Sequence, residues 1–166
     1  MTRDVATTSR ADAILSGAGF GLTSGVLTTL GLIVGLHSGT DTRQAVAAGV
    51  ATIALADAFS DAFGLHISQE SSGVDQRAAW LAAGVTFVAK LTFALTFLVP
   101  ILLLPLGVAV LVSIGWGLLV LVGFTWWVTR RNEGDVRAAV GEHLLVAIVV
   151  LTASQGVGNL LGRLSD

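Results

Sequence analysis

The chain has no cysteine, two prolines and little charge. The missing cysteine excludes disulfides, thiolate metal ligands and cysteine nucleophiles. Charged residues make up 12% of the 166 positions, about half the share of an ordinary soluble domain. The formal net charge is −2, so no basic surface points to a nucleic-acid partner. Met1 to Asp12 mix charges of both signs. They lack the short apolar core and cleavage site of a secretory signal and read as a polar tail over residues 1–13. Nor is there a phosphate loop, a nucleophile elbow, or a metalloprotease or multi-cysteine metal motif. No physical argument for an enzyme follows, and no permanently bound cofactor is expected.

What the chain has in abundance is apolar sequence. Hydrophobic residues make up 54% of it, and the mean hydropathy is +0.83. A helix that crosses a bilayer needs roughly 20 mostly apolar residues, because the hydrocarbon core is about 30 Å thick. Windows at about 14–36, 45–67, 80–104, 106–128 and 142–162 meet that requirement. Backbone groups in lipid must bond within their own segment, so the windows are expected to be helices. The fold class expected is all-α, a polytopic membrane protein whose five transmembrane helices occupy residues 14–166. Pro100 and Pro105 punctuate the joint between the third and fourth spans.

Lys and Arg in short loops set orientation. With five spans, the N-terminal tail and the second and fourth loops share a side, which carries Arg3, Arg10, Arg77, Arg130, Arg131 and Arg137. The opposite side has Arg43 and Arg163. The asymmetry predicts a cytoplasmic N-terminus and an external C-terminus. Trp80, Trp126 and Trp127 suit the cytoplasmic interfacial belt.

Span one carries Gly17, Gly21, Gly25, Gly31, Gly35 and Gly39. At 100° per residue all but Gly25 fall within about 40° of one line, and Gly25 lies about 80° round from Gly17. Ser24 and Thr28 share the face. Small residues at four-residue spacing let two helix backbones approach closely. The face is expected to pack against a helix of the same chain, or against its own copy across a two-fold axis, with Ser24 and Thr28 lining a path.

Ionisable residues inside the spans are the candidate functional groups. Asp57 and Asp61 sit four apart in span two, on one helix face. Unpaired charge in hydrocarbon is costly, so such residues usually mark an ion path or a proton relay. Two carboxylates repel each other, which favours one of them holding a proton. A pair that exchanges protons for a cation is the simplest use. A hydrogen-bonded pair that holds helices together is the structural alternative. Lys90 lies about ten residues into span three, at a comparable depth. It can form a structural salt bridge, or act as a built-in competitor that holds the site closed. His66 and Glu70, four apart at the end of span two, could share a divalent metal or be an ordinary solvated terminus. Gln155 and Asn159 in span five are expected to hydrogen-bond between helices or to line a path. His37 and His143 fall at span ends and suggest no special role.

Two segments resemble a known family. Gly25-Val-Leu-Thr-Thr-Leu-Gly-Leu-Ile-Val-Gly35 is similar to the first transmembrane motif of the vacuolar iron transporter family. Ala56-Asp-Ala-Phe-Ser-Asp-Ala-Phe-Gly-Leu-His-Ile-Ser68 resembles its second motif, and Pro100 and Pro105 resemble the proline-punctuated end of its third helix. The resemblance implies a homodimer that moves Fe2+ or Mn2+ from the cytoplasm in exchange for protons. Its ion path would run between subunits, lined by the first two helices. This sequence departs from the pattern where the family's first-helix aspartate falls on Ser24, its second-helix methionine on Asp61 and the following glutamate on Leu65. The family's long acidic hairpin between spans two and three is reduced to about ten residues, with Glu70 and Asp75 its acids, so metal capture there is not expected. Carboxylate in place of thioether moves the site toward harder ions.

The leading expectation is therefore a homodimeric, proton-coupled divalent-cation transporter. Asp57 and Asp61 would bind the ion, Ser24 and Thr28 line its path, Lys90 tune the carboxylates, and His66 and Glu70 form a cytoplasmic mouth. The competing expectation is a non-transporting membrane scaffold. Plentiful Ala, Val and Asp with almost no Lys suggest a GC-rich microbial genome and hence a prokaryotic plasma membrane.

Overall fold

A computed structural model describes residues 10–165. The segment expected as a polar tail, apart from its last few residues, lies outside them. The chain is all-α, in the order α1 (Arg10–Thr40), α2 (Arg43–Ser71), α3 (Gln76–Thr96), α4 (Leu98–Leu103), α5 (Leu106–Arg131) and α6 (Val136–Ser165). Taking α3 and α4 as one span, five helices are long and apolar enough to cross a membrane. The observed helices overrun the expected windows by several residues at most ends. At 1.5 Å per residue, α1 is about 46 Å long, more than the hydrocarbon core alone and enough to pass through the headgroup layer.

The connections are short and explain where each helix stops. Asp41 and Thr42 are the only residues between α1 and α2, and Asp41 takes a left-handed φ of 47°. Gly73 closes the α2–α3 turn at φ 78°, a conformation glycine adopts without steric cost. Asp75 then caps α3, accepting from the backbone N–H of Arg77 at 3.0 Å and Ala78 at 3.3 Å. Asp135 does the same for α6, accepting from Arg137 at 2.9 Å and Ala138 at 3.2 Å. Each cap satisfies N–H groups that the first helical turn leaves unbonded.

The third span is broken at Phe97, three residues before Pro100. Proline lacks the N–H that would bond four residues back, and its ring crowds that carbonyl. Leu104 is extended (φ −113°, ψ 159°), as a residue before proline prefers. The exposed end of α4 is held by Arg43, whose guanidinium donates to the carbonyls of Leu102 (3.3 Å) and Leu104 (2.8 Å). Trp116 on α5 donates to Thr96 Oγ1 at 3.0 Å beside the break.

Helix α1 is the centre of the bundle, packing on α2, α3, α5 and α6. Its buried apolar residues include Leu22, Val26, Leu30, Ile33 and Val34. The glycine face is filled within the chain by two different helices. Along the N-terminal half, a Cβ on Gly17 would strike the Ala82 carbonyl, and one on Gly21 would lie 2.5 Å from the Thr86 carbonyl. Gly25 lies against Lys90. Along the C-terminal half, a Cβ on Gly31 would meet Ser154 Oγ at 2.9 Å, one on Gly35 the Ser154 carbonyl at 3.3 Å, and one on Gly39 the Gly158 carbonyl at 3.1 Å. So α3 and then α6 occupy successive lengths of one stripe. The expected packing against helices of the same chain is therefore what this face shows, and Gly31 and Gly35 also border an open groove between α1, α2 and α6.

Outward-facing residues are large and apolar. Leu55, Phe59, Phe63 and Ile67 on α2, and Leu145, Ile148, Val149 and Leu160 on α6, are all exposed. Such a surface needs hydrocarbon around it. At one end of the bundle the Arg130 guanidinium lies 5.4 Å from the Trp126 ring and that of Arg131 5.7 Å from the Trp127 ring. Cation–π pairs of this kind suit the headgroup level.

Candidate functional site

The centre of the bundle holds one charged cluster. Ser24, Asp57 and Lys90 each stand about 14 residues from the start of α1, α2 and the third span, so all three lie near mid-height, roughly 20 Å along their helices. Lys90 is the only lysine in the chain, and it is 1% exposed. It belongs to the buried row of α3, with Ala79, Ala82, Ala83, Thr86 and Ala94. The near-absence of a side chain at Gly25 lets its stem lie flat against α1.

The Lys90 ammonium hydrogen-bonds to Asp61 and Ser24 and forms an ion pair with Asp57. Nζ lies 2.6 Å from Asp57 Oδ2, in direct contact with Asp61 Oδ2, and 2.9 Å from Ser24 Oγ, to which it donates. The Ser24 hydroxyl in turn donates to Asp61 Oδ2 at 2.6 Å. Each carboxylate remains about one-fifth exposed (21% for Asp57, 20% for Asp61). The cluster thus ties α1, α2 and α3 together at one point. Counted as ions, two acids face one base, and the cluster carries a net charge of −1.

Helix α2 presents the acids on a flank. Its buried row is Val46, Val50, Ala54, Ala58, Ala62 and His66, at strict four-residue spacing. Asp57 and Asp61 lie one residue before Ala58 and Ala62, turned toward Lys90. Thr28, one turn after Ser24, and Ile53, one turn before Asp57, line a groove of about 530 Å³ between α1, α2 and α6. Its other lining residues include Leu27, Leu32, Val150 and Val157. Thr28 therefore joins an apolar groove next to the cluster, not the cluster itself. Of the two residues expected to line a path, Ser24 stands in the cluster and Thr28 on this groove.

His66 and Glu70 are a separate pair. His66 Nε2 is 3.7 Å from Glu70 Oε2, and the imidazole is stacked on the Trp80 ring at 4.0 Å. His66 is buried while Glu70 is exposed. Among the described residues no three His, Cys, Asp or Glu side chains come together as a metal-binding group. The four residues expected as ligands thus fall into two pairs, separated because His66 lies on the buried row and the aspartates on its flank. Between Asp57 and Asp61 the ammonium occupies the position a cation would take.

Gln155 and Asn159 are also placed differently from expectation. Both are exposed on α6, and neither has a hydrogen-bond partner among the described residues. His37 pairs with Asp41 at 3.1 Å, and His143 Nδ1 lies 2.8 Å from the Ala139 carbonyl; both contacts are local.

Two contributors escaped the sequence reading. Thr86, fully buried one turn before Lys90, donates to the Ala82 carbonyl at 2.9 Å and lies 3.1 Å from the Gly17 carbonyl. Its four-residue spacing from Lys90 was the available signal. Gln69 donates to Ser16 Oγ at 3.1 Å, a contact that no spacing rule within one helix could indicate.

No protein-family model, curated protein or solved structure matches this chain.

Proposed function

We propose that the protein is a proton-coupled carrier of a divalent cation, with Asp57 and Asp61 as the ion seat and Lys90 as a tethered counter-ion. One observation carries this reading: two carboxylates share a single ammonium at mid-height. Fastening helices together needs one acid for one base. A second acid leaves negative charge in a low-dielectric interior, where charged groups are costly and usually functional. A metal ion or a proton would neutralise that excess.

In this reading Lys90 competes with the cargo. Protonation of an aspartate weakens the hold on the ammonium, and a divalent ion displaces it. The Ser24 hydroxyl supplies a further oxygen. Carboxylate and hydroxyl oxygens are hard donors, which suits Mn2+ better than softer ions. The resemblance to the vacuolar iron transporter family supports iron or manganese as cargo. It also supports a homodimer and, with the arginine asymmetry, a cytoplasmic N-terminus. A prokaryotic plasma membrane is the setting proposed from composition.

The test is metal uptake into vesicles containing the purified protein. Mn2+ or Fe2+ should enter down its gradient, accelerate when a pH gradient opposes it, and slow at least tenfold in the double variant Asp57→Asn/Asp61→Asn. Uptake equal in the wild type and the double variant would remove these residues from the mechanism.

A second reading, a non-transporting scaffold, is favoured by the Lys90 ammonium pairing with both carboxylates and by the apolar lining of the adjacent groove. It requires no flux of any divalent ion and no stabilisation by metals. A rise in melting temperature with Mn2+, by mass action on the folded state, would exclude it.

A further inference from the structure

We infer that the outer face of α6 binds a second copy of this chain through Gln155 and Asn159. Thr152, Gln155, Gly156, Asn159 and Arg163 fall within about 100° of one another around the helix. All five are exposed. Gln155 lies eight residues before Arg163, about 12 Å deeper in the bilayer if the arginine sits among the headgroups. Its amide is therefore in hydrocarbon, where an unbonded polar group is costly.

The neighbouring hydroxyl shows why the amides are different. Thr152 bonds back to the carbonyls of Ile148 at 2.7 Å and Val149 at 3.1 Å, so lipid can cover it. An amide has two N–H donors and a carbonyl, and none of these finds a partner among the described residues. The outer face of α2, by contrast, shows Leu55, Phe59, Phe63 and Ile67 and is suited to lipid as it stands.

A second copy is the occupant these groups select. An amide both donates and accepts, so across a two-fold axis each Gln155 or Asn159 can give and receive hydrogen bonds with its counterpart. Gly156, with nothing within 4 Å of where a Cβ would lie, lets the two backbones come close. The surface lies on α6, where Asn159 and Arg163 also border a polar groove with Ser38, Gly39, Thr40 and Asp41 at the end of α1; the family resemblance instead lines the path between subunits with the first two helices. The inference takes up the homodimer proposed above but is independent of ion carriage.

The chain lacks cysteine, so single cysteines report proximity cleanly. Gly156→Cys, oxidised in native membranes, should give a product of twice the chain mass, while Gly64→Cys on the open face of α2 should not. A product at Gly64→Cys alone, at neither position, or of any other mass overturns the inference. Subunit counting by photobleaching in bilayers gives a second readout. The wild type should be dimeric, and Gln155→Leu/Asn159→Leu should weaken association at least fivefold. A monomeric wild type, or a double variant that associates undiminished, also overturns it. Should the double variant fail to insert, the cysteine pair and the wild-type count decide the matter. Neither measurement involves ion flux, so a dimer that moves no ions leaves this interface standing while removing the carrier reading.

Discussion

Lys90 is held by three oxygens on two other helices, and each of them depends on it in return. Replacing it with methionine keeps most of the stem against Gly25 but leaves two carboxylates without a counter-charge. Breaking one side of a buried ion pair typically costs about 3–5 kcal/mol. We expect Lys90→Met to lose that much stability in unfolding titrations, and the triple variant with Asp57→Asn and Asp61→Asn to regain most of it. Failure of the triple variant to recover would mean that the lysine's packing matters more than its charge. The sole lysine also offers a direct probe. Protein labelled with 15N-lysine should show one ammonium resonance, which moves when Mn2+ displaces it if the carrier reading holds. The residue types of this cluster were legible in the sequence, because ionisable groups stand out in apolar windows. That Lys90 contacts both acids was not, since depth along a helix leaves its rotation relative to its neighbours open.

At the scale of elements, α1 depends on the absence of side chains. At Gly21 a Cβ would press on the Thr86 backbone carbonyl, which cannot turn aside as a flexible side chain could. Gly21→Ala should therefore destabilise by about 1–3 kcal/mol, the usual cost of overpacking. Gly84→Ala on α3 meets nothing within 4 Å and should gain about 0.5–1 kcal/mol from the better helix former. Equal effects at the two positions, in the same unfolding assay, would show that close packing on α1 is not what its glycines supply. The glycine periodicity announced a close helix contact. It could not say that the contact is shared between α3 and α6, because both lie on the same line at different heights.

The whole molecule presents two ends of unequal charge. The end that carries Arg77, Arg130, Arg131 and Arg137 is expected to face the cytoplasm by the positive-inside rule. Single cysteines test this without background in a chain that has none. A membrane-impermeant thiol reagent applied to intact cells should label Asp41→Cys in the α1–α2 turn and spare Glu133→Cys in the α5–α6 turn. The reverse pattern would invert the expected orientation and, with it, the side from which the proposed cargo would enter.

The sequence by itself determined that the chain spans a membrane five times, where the spans lie, and which few polar side chains they carry. Those properties follow from the length of apolar windows and from the cost of charge in hydrocarbon, and both are read along a single helix. Only the tertiary structure decided which faces meet. It set Lys90 between Asp57 and Asp61, drew His66 away to Trp80, filled the glycine face from within the chain, and left Gln155 looking outward. The reason is physical: in lipid all faces of an apolar helix are nearly equivalent to the solvent, so hydropathy cannot orient it, and close packing and a few hydrogen bonds do.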